Sequence, residues 1–244
     1  MKWIEADWPA PAHIRALTTT RLGGVSEAPF NSLNLGDHVD DEAAAVAENR
    51  QRLMTATGLS LSPQWLQQVH GTEVVKASPE GDVPQADACW SDQPGQGCIV
   101  MTADCLPVCF TDRSGSRVAV AHAGWRGLCN GVLEETLAVF DEPAEVVVWL
   151  GPAIGLEAFE VGGEVRQQFC DKQASADAAF RPVEGKSDKW LADIYLLARL
   201  RLQAAGVNSI HGGGFCTFHD SARFFSYRRE QRTGRMATLI WIDQ

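Results

Sequence analysis

LPVCFTDRSGSRVAVAHAG, the stretch from Leu106 to Gly124, consists of two apolar runs separated by a short polar segment. β-Branched and small apolar residues fill both runs, while the segment DRSGSR between them has the composition of a turn. This pattern predicts two antiparallel strands joined as a hairpin. The hairpin favours an antiparallel or mixed sheet over a purely parallel βαβ winding.

Further apolar segments predict that the chain is a mixture of strands and helices, of the α/β or α+β class. Strands are expected at RALTTT (15–20), EVVKA (73–77), GCIVMTA (97–103), EVVVWLG (145–151) and ATLIWI (237–242). Helices are expected within residues 40–58, 127–140 and 191–207. Because no linker or low-complexity tract interrupts the chain, we expect a single domain over residues 1–244.

Composition and charge exclude several classes of protein. A net charge of −10 argues against a surface for nucleic acid or anionic membrane, which needs clustered Lys and Arg. No apolar run approaches the length of a spanning helix, and the first residues are acidic where a signal peptide would be apolar. Seven cysteines without a CxxC pair favour a reducing compartment, so the cytoplasm is expected. We expect most cysteines, including Cys89, Cys98, Cys109 and Cys170, to be packed as small apolar residues.

Cys105 and His122 fall at the same end of the predicted hairpin, because one precedes its first strand and the other ends its second. His70 precedes another predicted strand and adds a second imidazole to the candidate set. Two imidazoles and one thiolate form the ligand set of a catalytic zinc that keeps a fourth position open. Two alternatives stay open: a buried free cysteine beside a core histidine, and a metal-free cysteine nucleophile with His122 as its base.

Several segments of the chain resemble signature segments of the YfiH/YlmD family. These segments are QQVHG (67–71), MTADCLPV (101–108), AHAGWRG (121–127), GPAIG (151–155) and FFSYRREQRTGRMATLIWI (224–242). Members of that family have been described as laccase-like polyphenol oxidases, as purine nucleoside phosphorylases and adenosine deaminases, and as a peptidoglycan editing factor. The resemblance begins near TTRLGG (19–24) and therefore covers nearly the whole chain.

The resemblance implies a fold, a metal site and a reaction. The fold is an αββα sandwich around a mixed β-core, of the α+β class. The metal ligands are His70, Cys105 and His122, of which Cys105 and His122 are also the candidate catalytic residues. The reactions are phosphorolysis of adenosine, inosine and methylthioadenosine to the base and ribose 1-phosphate, and deamination of adenosine to inosine. A role on UDP-muramyl precursors of the cell wall is a further implication, and a monomer is expected.

Zinc is the expected metal, with copper as the alternative. A multicopper oxidase combines a type 1 centre with a trinuclear cluster, and the two together require about ten histidines. The chain has six histidines, so polyphenol oxidase activity is the alternative function rather than the favoured one. Zinc would lower the pKa of a bound water, and the resulting hydroxide can attack C6 of adenosine.

Phosphorolysis and deamination also need groups that move protons and hold phosphate. Asp104, beside the cysteine ligand, is the candidate general acid or base, with the orientation of a ligand as its alternative role. Phosphate requires basic groups or free backbone N–H groups. The candidates are Arg126, which is also a candidate catalytic residue, and Arg21, Ser226 and Arg228. For each arginine the alternative is a structural ion pair.

Overall fold

The computed structural model describes residues 2–59 and 61–243, which form a mixed α+β fold. The strands are β1 Trp3–Glu5, β2 Ile14–Thr19, β3 Val74–Lys76, β4 Ala88–Ser91, β5 Cys98–Thr102, β6 Leu106–Asp112, β7 Val118–Ala123, β8 Val146–Leu150, β9 Glu160–Gly162, β10 Phe180–Pro182, β11 Lys189–Ala192, β12 Ser209–Gly212 and β13 Met236–Ile242. The α-helices are α1 Ala43–Thr57, α2 Trp125–Asn130, α3 Val132–Leu137, α4 Gly163–Lys172, α5 Ile194–Ala204 and α6 Tyr227–Glu230. The expectation of an α+β class is confirmed.

The strands of the described residues form three sheets. The largest has the order β12-β8-β6-β7-β4-β3, the second has the order β1-β2-β13-β5, and a small sheet has the order β10-β11-β9. Most neighbouring strands run antiparallel, whereas β3 with β4 and β8 with β12 run parallel. The mixed β-core is therefore present, and the hairpin β6–β7 lies in the middle of its largest sheet.

Alternating side chains of the central strands enter different apolar layers. In β6, Val108 and Phe110 contact the helices that cover the largest sheet, whereas Cys109 points into the layer between the two large sheets. In β13, Ile240 enters the same middle layer, whereas Leu239 packs towards Leu53 of α1 on the outer side. The order of layers is thus helix, sheet, sheet, helix. Strands covered on both faces have continuous apolar runs, which is why the sequence displays them so clearly.

All seven expected strands are present, although six other strands of the described residues were not predicted, and the helices were predicted only in part. The first and third expected helices correspond to α1 and α5, but the second is divided into α2 and α3 at Gly131. Gly131 has φ 111°, a left-handed conformation in which the helical hydrogen-bond pattern cannot continue. Helix α4 was not predicted, because its sequence GEVRQQFCDK buries only Val165 and Phe169 and has little apolar periodicity.

The expected burial of the cysteines is correct for three of the four that were named. Cys89, Cys98 and Cys109 are fully buried, whereas Cys170 is only half-buried on α4. Within the described part of the chain, the helices are all too short or too polar to cross a bilayer.

The turn of the β6–β7 hairpin is closed by Asp112. Its carboxylate accepts hydrogen bonds from the hydroxyls of Ser114 and Ser116, both at 2.6 Å, and from the backbone N–H of Ser116 at 3.0 Å. Burial alone would raise the pKa of this carboxyl, but the two serine hydroxyls and the backbone N–H groups lower it below its ordinary value. The ionised carboxylate therefore stabilises the turn.

We predict that Asp112→Asn lowers the free energy of unfolding by about 1 kcal/mol at pH 7, because the amide keeps one acceptor oxygen instead of two charged ones. The folded-state pKa is depressed, so this contribution is present above the unfolded pKa and is lost as the pH falls through the folded pKa. Urea denaturation of both proteins at pH 7 and pH 3 measures the effect, with Asn replacing the exposed Asp141 as control. A difference that does not become smaller between pH 7 and pH 3 would contradict this account.

Candidate metal centre and cavity

Cys105 and His122 meet because the β6–β7 hairpin brings the start of one strand beside the end of the other. In the register of the pair, Pro107 lies opposite His122, and Cys105 precedes β6 by one residue. The imidazole of His122 is buried, whereas Cys105 is half-buried at the base of a cavity. The sequence-based expectation that the two side chains lie at the same end of the hairpin is confirmed.

His70 approaches the same point from the loop before β3. Its Nε2 lies 3.9 Å from the Cys105 Sγ, and its ring meets the His122 ring edge-on with 4.8 Å between centroids. The His70 backbone has φ 61°, which is uncommon for a residue with a side chain. The structure therefore brings together His70, Cys105 and His122, whose candidate ligand atoms all lie within 4.8 Å of one another.

Asp87, a fully buried residue just before β4, fixes both histidines. Its carboxylate accepts hydrogen bonds from the N–H groups of Val69, His70 and Gly71 at 3.1, 2.9 and 2.6 Å. The same carboxylate lies 2.8 Å from Nδ1 of His122, so Nδ1 carries the proton and Nε2 is left for the centre. Burial alone would raise the pKa of Asp87, but the bonds from His122 and the backbone N–H groups lower it. No motif in the sequence had pointed to this residue.

Cys105 and His122 stabilise each other's charged forms. Burial alone would raise the pKa of the Cys105 thiol, but the charge of His122 and hydrogen bonds from both histidines lower it to about 6. Burial alone would lower the pKa of His122, but the thiolate of Cys105 and the carboxylate of Asp87 raise it to about 9. Without a metal the pair is thus a thiolate beside an imidazolium.

Two glycines allow the chain to close tightly around the three side chains. A Cβ at Gly124 would lie 2.6 Å from Cδ2 of His70 and 3.2 Å from the Cys105 Sγ. A Cβ at Gly127 would lie 2.8 Å from the carbonyl oxygen of Gly71, so α2 packs directly on the loop that carries His70. Both positions therefore require glycine because of a close approach rather than an unusual dihedral angle.

The donor set fits a zinc ion. Zinc bonds of about 2.0–2.3 Å in tetrahedral geometry keep donor atoms roughly 3.5 Å apart, and the sulfur and the His70 nitrogen are separated by 3.9 Å. Two imidazole nitrogens and one thiolate suit this borderline-soft ion, and Asp87 supplies the carboxylate that commonly orients a ligating histidine. Three protein ligands leave a fourth coordination position free for water or substrate.

A cavity of about 360 Å³ opens above the three side chains. This volume lies within the range of small-molecule binding sites. Apolar residues form much of its wall, and polar groups are contributed by Arg228, Arg235, Gln68 and His38. The lining residues are His38, Gln68, His70, Met101, Thr102, Ala103, Asp104, Cys105, His122, Trp125, Ile154, Phe159, Ile194, Tyr227, Arg228 and Arg235.

Asp104 lies in the wall of the cavity, but its carboxylate is held by three donors. The hydroxyls of Thr217 and Ser226 donate to it at 2.6 and 3.0 Å, and the backbone N–H of Arg228 donates at 2.7 Å. Asp104 thereby connects the segment before Cys105 to the start of α6. Ser226, which was predicted to bind phosphate, is fully buried, and its hydroxyl also accepts the N–H of Arg229 as the cap of α6.

The predicted phosphate-binding arginines lie in different surroundings. Arg21 forms an ion pair with Glu230 at 3.0 Å and does not line the cavity. Arg126 is exposed, lies outside the cavity lining, and places its guanidinium 4.7 Å from the centre of the Trp125 ring. Arg228 lines the cavity, and its Nη1 donates to the carbonyl of Ala158 at 3.1 Å.

Sequence reasoning missed Arg235, His38, Asp87 and Gly124. The only signal for Arg235 was its place in the segment QRTGR, just before the last apolar strand. His38 belongs to the acidic segment GDHVDD, where nothing indicated that it would reach the cavity. These positions become recognisable only when the strands are assembled.

Comparison with known proteins agrees with the resemblance found in the sequence. A family model described as multi-copper polyphenol oxidoreductase laccase matches residues 15–243. A Pseudomonas aeruginosa protein named purine nucleoside phosphorylase is 60% identical over 99% of this chain and 98% of its own length. The Escherichia coli protein named purine nucleoside phosphorylase YfiH is 54% identical over 99% of each chain.

Solved structures agree with the fold as well. A crystal structure of a Neisseria meningitidis protein matches with a TM-score of 0.96 and 49% identity, covering 100% of both chains. YlmD from Geobacillus stearothermophilus matches with a TM-score of 0.90 and 31% identity, covering 100% of this chain and 97% of its own. From the arrangement of its strands, its candidate metal centre and these relatives, the chain belongs to the YfiH/YlmD family of laccase-like proteins.

Proposed function

We propose that the chain, acting as one domain and as a monomer, is a zinc-dependent purine nucleoside phosphorylase. Its substrates in this proposal are adenosine, inosine and methylthioadenosine, and deamination of adenosine is a second reaction of the same site. The observation that carries the proposal is the His70, Cys105 and His122 group at the base of a cavity of about 360 Å³. The names of relatives that share more than half of the sequence support it.

His70, Cys105 and His122 would hold the metal of this proposal. When bound, zinc supplies a Lewis acid that polarises a water molecule or a phosphate oxygen. The protein contributes the orientation of the ligands. Asp87 keeps a proton on Nδ1 of His122, and its bonds to three backbone N–H groups hold the His70 loop in one conformation.

The walls of the cavity suit a purine and a ribose. Trp125, Ile154, Phe159 and Ile194 form an apolar surface that excludes water and can pack on the flat face of a base. Phosphorolysis further requires a phosphate under C1′ while positive charge develops on the ribose ring. Cationic side chains that reach the cavity supply the charge complementarity for that anion.

Asp104 has a positioning role in this proposal rather than that of a general acid or base. The three hydrogen bonds to its carboxylate hold Ser226 and the start of α6, which carries Tyr227 and Arg228 into the cavity wall. A carboxylate with this many fixed donors is well suited to organise the wall. This role differs from the alternative that the sequence had left open for Asp104, which was the orientation of a metal ligand.

A second candidate function, a metal-free cysteine hydrolase, is favoured by one observation. Cys105, His122 and Asp87 are arranged as nucleophile, base and orienting carboxylate, with the Asp87–His122 bond at 2.8 Å. His70 distinguishes the two candidates, because a hydrolase does not need a second imidazole on its thiolate. Copper-dependent oxidation of polyphenols needs more histidines than the three-residue group offers.

Location and a role in the cell wall belong to the proposal as well. We place the reaction in the cytoplasm, since the thiolate ligand has to stay reduced. Only the family resemblance supports a role in the editing of UDP-muramyl precursors. Isothermal titration with adenosine and with a UDP-muramyl amino acid separates this role from the nucleoside reaction.

We predict close to one zinc ion per chain in protein purified without added metal. Cys105→Ser and His122→Ala should lose this zinc and at least ~100-fold of the phosphate-dependent release of hypoxanthine from inosine, because each removes one of three ligands. Cys170→Ser, at a half-buried cysteine on α4, is the matched control and should retain both. Elemental analysis and chromatography of the products measure the two quantities. Three or four copper ions per chain would instead support the laccase description.

We predict that zinc protects Cys105 from alkylation. With zinc bound, iodoacetamide should modify Cys105 slowly, and a chelator should accelerate the modification at least tenfold, because the sulfur is then free. His70→Ala should abolish zinc retention and release of base together. If His70→Ala keeps full activity, or if alkylation with zinc present is fast and parallels the loss of activity, the hydrolase replaces the metal mechanism. Mass spectrometry of tryptic peptides measures the modification.

A further inference from the structure

Arg235 is a cation whose side chain is fixed at the cavity while part of its hydrogen-bonding capacity stays unused. Its backbone N–H donates to the side chain of Asn34 at 2.9 Å. Its Nη1 donates to the carbonyls of Thr233 and Gly234 at 2.9 and 3.1 Å. The stem packs on the backbone of Gly36, where an added Cβ would lie 2.8 Å from Cγ of Arg235. The side chain is thus held in one place before any ligand arrives.

Among the described residues, Arg235 has no carboxylate within ion-pair distance of its guanidinium, and no hydrogen bond involves its Nε or Nη2. Burial lowers its pKa below the ordinary value, whereas Cys105, Asp104 and Tyr227 act in the opposite direction. Of these neighbours, Asp104 is already bonded to three donors, and Cys105 is a metal ligand in the proposed holoenzyme. Arg235 therefore presents positive charge and free donors to the cavity.

Two other arginines near the cavity, Arg21 and Arg229, are engaged elsewhere. Arg21 is paired with Glu230, and the guanidinium of Arg229 donates to the carbonyls of Thr217, Phe218 and Phe224. Arg228 donates to Ala158 and lies with its guanidinium carbon 5.8 Å from the centre of the Phe159 ring. Arg228 also has unused donors, but its side chain is exposed and lies beside Phe159, on the wall that suits the purine.

His38 is a further polar group near Arg235. It lines the cavity at the exposed edge and lies 3.5 Å from the carboxylate of Asp37. Burial, followed by the charge of Arg235, lowers the pKa of His38, while Asp37 acts in the opposite direction. A neutral imidazole here can donate or accept a hydrogen bond without adding charge.

We propose that Arg235 is the anchor for inorganic phosphate, with His38 beside it, and that the purine lies against the apolar wall formed by Phe159, Ile154 and Trp125. The unused Nε–Nη2 edge of the guanidinium matches two oxygens of a phosphate. In this proposal the anion and the base occupy different parts of the same cavity. This role does not require Arg126, Arg21 or Ser226, which the sequence had suggested as phosphate-binding residues.

The inference rests on the proposed phosphorylase function, and it is tested on the zinc-containing full chain. Arg235→Gln should raise the KM for phosphate in inosine phosphorolysis at least tenfold, because the variant loses charge-assisted hydrogen bonds to the anion. Arg235→Lys keeps the positive charge but lacks the paired N–H donors of a guanidinium, so it should give an intermediate KM for phosphate. The KM for inosine should change less than twofold in both variants, because the purine wall is unaltered.

Isothermal titration with inorganic phosphate gives a readout that does not depend on turnover. Wild-type protein should bind phosphate, and Arg235→Gln should weaken binding at least tenfold. Arg113→Gln, which removes an exposed arginine at the distal turn of the β6–β7 hairpin, is the control and should match wild type. Circular dichroism shows whether each variant is folded. If Arg235→Gln does not fold, the affinity of Arg235→Lys for phosphate still tests the proposal.

The outcomes separate the two proposals. If wild-type protein releases no base from inosine but binds phosphate in an Arg235-dependent way, the phosphorylase function fails and the anion site stands. If base is released but Arg235→Gln and Arg235→Lys leave both the KM and the affinity for phosphate unchanged, the inference is overturned. A tenfold rise in the KM for phosphate in Arg126→Gln alone would move the site to the start of α2.

Discussion

Asp87 accepts four hydrogen bonds at one buried carboxylate, three from the backbone of the His70 loop and one from the imidazole of His122. Each buried donor left without a partner costs about 1–3 kcal/mol, so the loop and the imidazole depend on the same group. The backbone carbonyl of Asp87 also accepts the N–H of His122 at 2.7 Å, which attaches β4 to β7 at this point. One residue thus sets the position of two candidate ligands and connects the centre to the largest sheet.

The long central strands could be predicted from the sequence because they are buried on both faces. Strands β6, β7, β8 and β13 are covered on both faces, so their apolar runs are long, and the only carboxylate among them is Asp112 at the end of β6. Short strands such as β4 and β12 have no such run, and their pairing is decided by residues distant in the sequence. The split between α2 and α3 was missed because Gly131 interrupts the helix inside an apolar repeat that is otherwise continuous.

The candidate site could be predicted in part, for a similar physical reason. Cys105 and His122 were predictable as neighbours because a hairpin fixes their relation locally. His70 was placed with them through family resemblance, since its approach depends on the parallel pairing of β3 with β4 and on Asp87. Ser226 and Arg21 looked like anion-binding residues in the sequence, but a helix cap and an ion pair with Glu230 occupy them. Residue type alone does not reveal which polar groups already form hydrogen bonds or ion pairs within the folded protein.

The position of β13 has a consequence for the order of events during synthesis. β13 lies between β2 and β5, although the ribosome makes it after every other strand described here. A nascent chain can form the β6–β7 hairpin and gather His70, Cys105 and His122 while the gap between β2 and β5 is still empty. Arg235, directly before β13, reaches the cavity only when that gap is filled. The candidate metal-ligating thiolate can therefore form before the part of the cavity wall that carries Arg235, and a metal ion bound at that stage would protect the sulfur while the chain is completed.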